Sequence, residues 1–86
     1  MQDAEILTKA RNTIDERVEN YGPPTASWKE IAMVASELTG RVLSSKDCVK
    51  VLMSMKLVRE RYKHTEDNLL DLVAYTQILH MLEEGE

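Results

Sequence analysis

Residues 44–82 read SSKDCVKVLMSMKLVRERYKHTEDNLLDLVAYTQILHML. Two apolar-rich segments meet at a short polar turn, His64-Thr65, and each opens on a helix-start signal. Ser44-x-x-Asp47 is a capping box, in which the hydroxyl and the carboxylate satisfy each other's backbone amides. Thr65 is placed to cap the second segment. The spacing predicts one helix over about Lys46 to Lys63 and another over about Glu66 to Glu83. Val49, Leu52, Met53 and Leu57 share one side of the first, and Val51, Met55 and Val58 another. An apolar surface nearly all round predicts that this helix is the central one. The next segment, with Leu69, Leu70, Leu72, Val73, Ala74, Ile78, Leu79 and Leu82, should be buried on most sides as well.

Upstream, Ile6, Leu7, Ala10, Ile14 and Val18 form one helical stripe between Asp3 and about Asn20. Tyr21-Gly22-Pro23-Pro24 stops it, because prolines cannot continue a helix and Gly22 precedes one. Ser27-x-x-Glu30 reads as a second capping box opening the next helix, with Ile31, Val34, Ala35 and Leu38 on its face and Gly40 as its stop. The expectation is an all-α, compact four-helix domain over residues 1–86, its short connections making sequential helices antiparallel neighbours.

Length and composition bound the function. Eighty-six residues make one domain with a thin core, so oligomerisation is expected. The stripes Val51-Met55-Val58 and Val49-Met53-Leu57 cannot both face inward in so small a bundle. At 43% hydrophobic and 30% charged the chain is not of the disordered class. The aromatics are Tyr21, Trp28, Tyr62 and Tyr75, with no Phe. A single cysteine, Cys48, excludes an internal disulfide and reads as structural. No leader begins at Met1 and no apolar run reaches about 20 residues, so a soluble chain in a reducing cytoplasm is expected, without membrane contact.

The net charge of −4 argues against long nucleic acid as a partner. It conceals a strong asymmetry. Residues 46–63 carry six basic groups against Asp47 and Glu60, whereas residues 64–86 carry six acids and no Lys or Arg. On the third helix Lys56, Arg59 and Lys63 share a face; on the fourth Asn68, Asp71 and Tyr75 do, with Asp67 one turn before Asp71. Across a short turn these stripes can face each other. One reading is a register-fixing ion pair of Lys56 or Arg59 with Asp71. The sharper reading is a polar pocket inside the bundle. Its cations would grip phosphate, its carboxylate and amide would read sugar or base, and a tyrosine would stack. The prolines of the first loop would hold Tyr21 on a stiff corner, with Arg17 one turn earlier. Glu16-x-x-Glu19 has metal-ligand spacing but reads first as a solvated acidic face. His64 reads as a turn residue and His80 as a surface one.

Glu16-Arg17-x-x-x-Tyr21-Gly22-x-Pro24, then Lys56-x-x-Arg59, then Asp67-Asn68-x-x-Asp71-x-x-x-Tyr75 resemble a small all-helical domain of unknown function common in bacteriophage and prophage genomes. The resemblance runs from about Ile6 to Leu79; Cys48 stands before Val49 where that domain more often has Asp. It implies phage origin, a helical fold and the cytoplasm of an infected host. More distantly the chain is similar to MazG-like all-α nucleoside triphosphate pyrophosphohydrolases, which hold Mg²⁺ between Glu-x-x-Glu and Glu-x-x-Asp. Here Asn68-x-x-Asp71 matches the later motif, but Lys56-x-x-Arg59 puts cations where carboxylates should stand.

Three functions follow as expectations. The first is a binding protein that sequesters a phosphorylated nucleotide or nucleotide-derived signal, a counter-defence sponge acting without catalysis or cofactor. Its ligand-binding residues would be Arg17, Tyr21, Lys56, Arg59, Asp67, Asn68, Asp71 and Tyr75, completed in a homo-oligomer. The second is a divergent Mg²⁺-dependent pyrophosphohydrolase using Glu16, Glu19 and Asp71. The third is a helical protein-interaction module.

Overall fold

The computed structural model describes residues 4–85, which fold into four helices: α1 (Glu5–Tyr21), α2 (Pro24–Thr39), α3 (Ser45–Tyr62) and α4 (Glu66–Gly85). Asp3, expected within the first helix, lies outside the described residues. α1 ends where Gly22 takes φ 83°, a backbone that side chains disfavour, and its amide donates to Val18 O at 2.9 Å. α2 then starts at Pro24 with Pro23 as its cap, three residues before the expected Ser27 box. The box does not form; the Ser27 hydroxyl instead donates to Pro24 O at 3.5 Å. Proline fits the first helical position because its φ is already helical and its missing N–H has no partner there. The same residues that end α1 therefore begin α2.

The other caps match the sequence. Gly40 closes α2 with φ 68°. Ser44 and Asp47 exchange amide-to-side-chain hydrogen bonds of 3.0 Å in a complete box. Hydrogen bonds from the Ser44 amide and hydroxyl hold the Asp47 carboxyl below its ordinary range. The Asn68 amide donates to Thr65 Oγ1 at 3.2 Å, starting α4.

α4, not α3, is the central helix. It touches all three others, whereas α1 and α3 share no contact and α1 scarcely meets α2. Three pairs fix α3 and α4 as antiparallel, since one number rises as the other falls: Lys46–Glu83 at 3.4 Å, Lys56–Asp71 at 2.6 Å, and Glu60 with Asn68. α3 buries Ser45, Cys48 and Val49 and turns Val51, Leu57 and Val58 to solvent. Of the two stripes expected to compete for the interior, the one begun by Val49 turns inward through Val49 and Met53 but ends exposed at Leu57. The core gathers Trp28 and Ala32, Cys48 and Val49, and Tyr75, Ile78 and Leu82. Trp28 meets Tyr75 edge-on, with centroids 6.2 Å apart. Tyr75 was expected at a ligand rather than in the core. α1 buries only Ala10, so the α1–α2 side of the molecule stays open. Among the described residues no helix is long and apolar enough to cross a membrane.

Two valines two residues apart check this orientation. Val49 is fully buried and Val51 is 61% exposed. In urea denaturation Val49→Ala should cost about 1.5 kcal/mol, and Val51→Ala no more than about 0.5 kcal/mol. Equal losses would place α3 the wrong way round.

Candidate functional site

Asp71 stands where the two expected stripes meet. Its position on α4 puts it between helices that do not touch, and each sends it a cation. Lys56 Nζ of α3 lies 2.6 Å from Oδ2, and the Arg17 guanidinium of α1 lies 3.9 Å from Oδ1. The Lys56 and Asp71 side chains are only 14% and 18% exposed, so their pair is shielded from solvent. Arg17 is looser and half in water. Its guanidinium carbon sits over the Tyr75 ring, 5.8 Å from the centroid, a cation–π contact. Two cations around one carboxylate leave one unit of positive charge, and Arg17 is the group that carries it outward.

The eight residues expected to bind ligand thus separate into four sets. Arg17, Lys56, Asp71 and Tyr75 come together in the cluster just described. Tyr75 is 8% exposed, its edge against Trp28 and its face under Arg17. Asn68 is buried and serves the α3–α4 turn, its amide donating to Glu60 Oε1 and to Lys63 O at 3.4 Å each. Arg59 and Asp67 are exposed, and neither belongs to an ion pair among the described residues. Tyr21 stands apart from the cluster, exposed at the end of α1.

Glu60 organises that same turn. It accepts from His64, from the Thr65 amide at 3.2 Å and from Asn68. Partial burial pushes its carboxyl up, and the hydrogen bonds outweigh this and hold it below the ordinary range. Burial pushes the Cys48 thiol up, which suits a packing residue rather than a nucleophile. Glu16 and Glu19 are exposed on α1. Among the described residues no three His, Cys, Asp or Glu side chains gather as a metal-holding group, so the carboxylates expected for Mg²⁺ are not brought together.

A wide concavity lies elsewhere, in the open side between α1 and α2. It is a groove of about 750 Å³. Ile14, Val18 and Tyr21 form one wall and Ile31, Val34 and Leu38 the other, with buried Trp28 and Ile78 on the inner side. Arg17 is its basic lining residue and connects the groove to the Asp71 cluster. Of the face Ile31, Val34, Ala35 and Leu38 read from the sequence, only Ala35 packs against the core; α2 turns inward through Trp28, Ala32 and Ala35, and Leu38 is 83% exposed. The signal was present: α2 is apolar on more of its circumference than one interface can bury.

The described residues thus form an all-α domain with an open apolar groove between α1 and α2, joined through Arg17 to the Asp71 cluster. The chain belongs to the family described as Domain of unknown function (DUF6378), whose model matches residues 5–83. No curated protein and no solved structure matches it.

The weight of the Lys56–Asp71 pair can be measured. Asp71→Ala leaves Lys56 shielded without a partner and should cost about 2 kcal/mol, discounted from a fully buried pair because both groups keep some water. The double variant Lys56→Met/Asp71→Leu should recover most of that loss. A double-mutant cycle by chemical denaturation gives the coupling; coupling below about 0.5 kcal/mol would make the pair incidental.

Proposed function

We propose that this domain is a helical interaction module whose working surface is the α1–α2 groove. The observation that carries this reading is the pair of facing apolar walls, Ile14-Val18-Tyr21 and Ile31-Val34-Leu38, left open to solvent. Each wall repeats at three to four residues, the spacing at which a groove receives the apolar face of an amphipathic helix. Exposed apolar patches of this kind on a small domain mark association sites. The interior supports the same reading: Lys56 is tied to Asp71 and Tyr75 is buried, so little of the cluster faces outward.

The test is selection of helical peptides from a randomised display library, with counter-selection against the Val34→Glu/Leu38→Glu variant. Both substituted positions are exposed, so the fold should persist. Selected peptides should carry apolar residues at i, i+3 or i+4 and i+7, and should shift the NMR signals of Ile14, Val18, Ile31 and Val34. Peptides that map to another surface, or none that depend on Val34 and Leu38, would end this reading.

Arg17 favours a second reading, in which the groove takes a phosphorylated nucleotide. Its guanidinium is loosely paired at 3.9 Å and lines the groove beside exposed Tyr21. Phosphate would draw on Arg17 while the base lies against Tyr21 and the apolar walls. The sponge function expected from the phage resemblance belongs to this reading. Calorimetry against cyclic and linear nucleotides should give a hit that Arg17→Ala weakens at least tenfold. A panel without a hit removes it.

A further inference from the structure

The occupant of the groove can be named from a second surface. α3 turns Val51, Met55, Val58 and Tyr62 to one side, spaced i, i+4, i+7 and i+11. Val51, Val58 and Tyr62 are exposed, Tyr62 by 90%. This is a continuous apolar stripe about 16 Å long, at 1.5 Å per residue. By helical geometry Lys50 and Arg61 flank it on one side and Arg59 on the other. All three cations are exposed and belong to no ion pair among the described residues.

The groove has the opposite charge at its edge. Glu30 lines it, and Glu37 lies two turns further along the same side of α2. Both carboxylates are likewise exposed and in no ion pair among the described residues. The one basic group lining the groove, Arg17, is only loosely paired with Asp71 at 3.9 Å, and the acids lie along the outer side of α2. A basic-edged helix stripe and an acid-edged apolar groove of matching periodicity sit on one chain, yet α1 and α3 share no contact. The chain cannot bring its stripe to its own groove.

We propose that the groove receives α3 of a second copy of this chain, with Val51, Val58 and Tyr62 between the walls and the α3 cations against Glu30 and Glu37. The inference rests on the groove reading above and names its occupant. Reciprocal insertion, each copy's α3 in the other's groove, closes the assembly as a twofold dimer. Apolar burial supplies the association, and the charges set partner and register.

A charge exchange tests it. Arg59→Glu/Arg61→Glu makes the stripe acidic, and Glu30→Lys/Glu37→Lys makes the groove basic. Each variant alone opposes like charges, whereas their equimolar mixture restores opposite charges at both contacts. Light scattering at about 100 μM should give the native chain twice the monomer mass, each variant half that, and the mixture the native value. A native mass of one 9.9 kDa chain, variants that remain assembled, or a mixture that stays monomeric would each overturn the proposal. Circular dichroism checks the fold; if a charge variant loses helicity, Val58→Ser/Tyr62→Ser replaces it, and the same halving is required. Library peptides that fill the groove of a chain found to be monomeric would leave the module reading intact and remove self-docking alone.

Discussion

Asp71 is the contact on which the arrangement of this domain turns. α4 runs through the middle, and α1 and α3 meet only through it. Its carboxylate takes a cation from each side, Lys56 closely and Arg17 loosely. α3 has a deeper anchorage in Val49 and Cys48, so its ion pair sets register more than it supplies stability. α1 has no comparable anchor. With Ala10 as its one buried residue, it depends on Arg17–Asp71 and on Lys9, whose ammonium reaches Glu66 at 2.6 Å. Hydrogen bonds that the ammonium donates to Glu66 and then Glu5 raise the lysine's pKa. These contacts are exposed enough that each contributes modestly. Polar contacts along α4 thus add to the packing of Ala10 and the half-buried Ile6 and Ile14 in placing α1, and so in setting the width of the groove.

Much of this was legible because it is local. A capping box, a glycine after an apolar row and a threonine before one are decided within a few residues. Ser44–Asp47, Gly40 and Thr65 accordingly fall where their neighbours require. The approach of Lys56 to Asp71 was legible for a related reason: a short turn joins two helices whose polar residues share one period. What was illegible depends on choices between equally apolar faces. α3 and α4 both read as buried, and only the packing shows that α4 takes the centre while α3 presents Val51 and Val58 to water. The Ser27 box failed because Pro24 supplies a better start three residues earlier, a competition that a motif read alone does not reveal. Tyr75 carries a polar tip on a motif position, yet Trp28 gives its ring a partner inside the bundle.

The expected pocket illustrates the same distinction at the level of function. Spacing brought Lys56, Asp71 and Tyr75 to facing stripes, but it left Arg17 with Tyr21 at the first loop and could not say how these residues divide their contacts. Lys56 is taken by Asp71, and Tyr75 by Trp28 and Arg17. Asn68 is taken by the turn. Residue types suited to phosphate recognition are equally suited to hold three helices in register, and here most are engaged in doing so.

The surplus apolar surface then has a physical explanation. A chain of this length can bury little, and this one fills its centre with Trp28, Val49, Tyr75, Ile78 and Leu82, together with Ala32 and Ala74. Other large side chains, Ile31, Val34 and Leu38 on α2 and Val51, Val58 and Tyr62 on α3, are left outside. Were these sites selected only for solubility, their positions would be the easiest in the molecule to make polar, since nothing inside depends on them. They instead form two organised rows with opposite charges at their edges. Any occupant that also attracts Arg17 must draw it from an Asp71 oxygen 3.9 Å away and from the Tyr75 ring. Occupation of the groove by such a ligand, as in the nucleotide reading proposed above, would therefore be coupled to the contact that positions α1, and binding and the placement of the first helix would be one equilibrium.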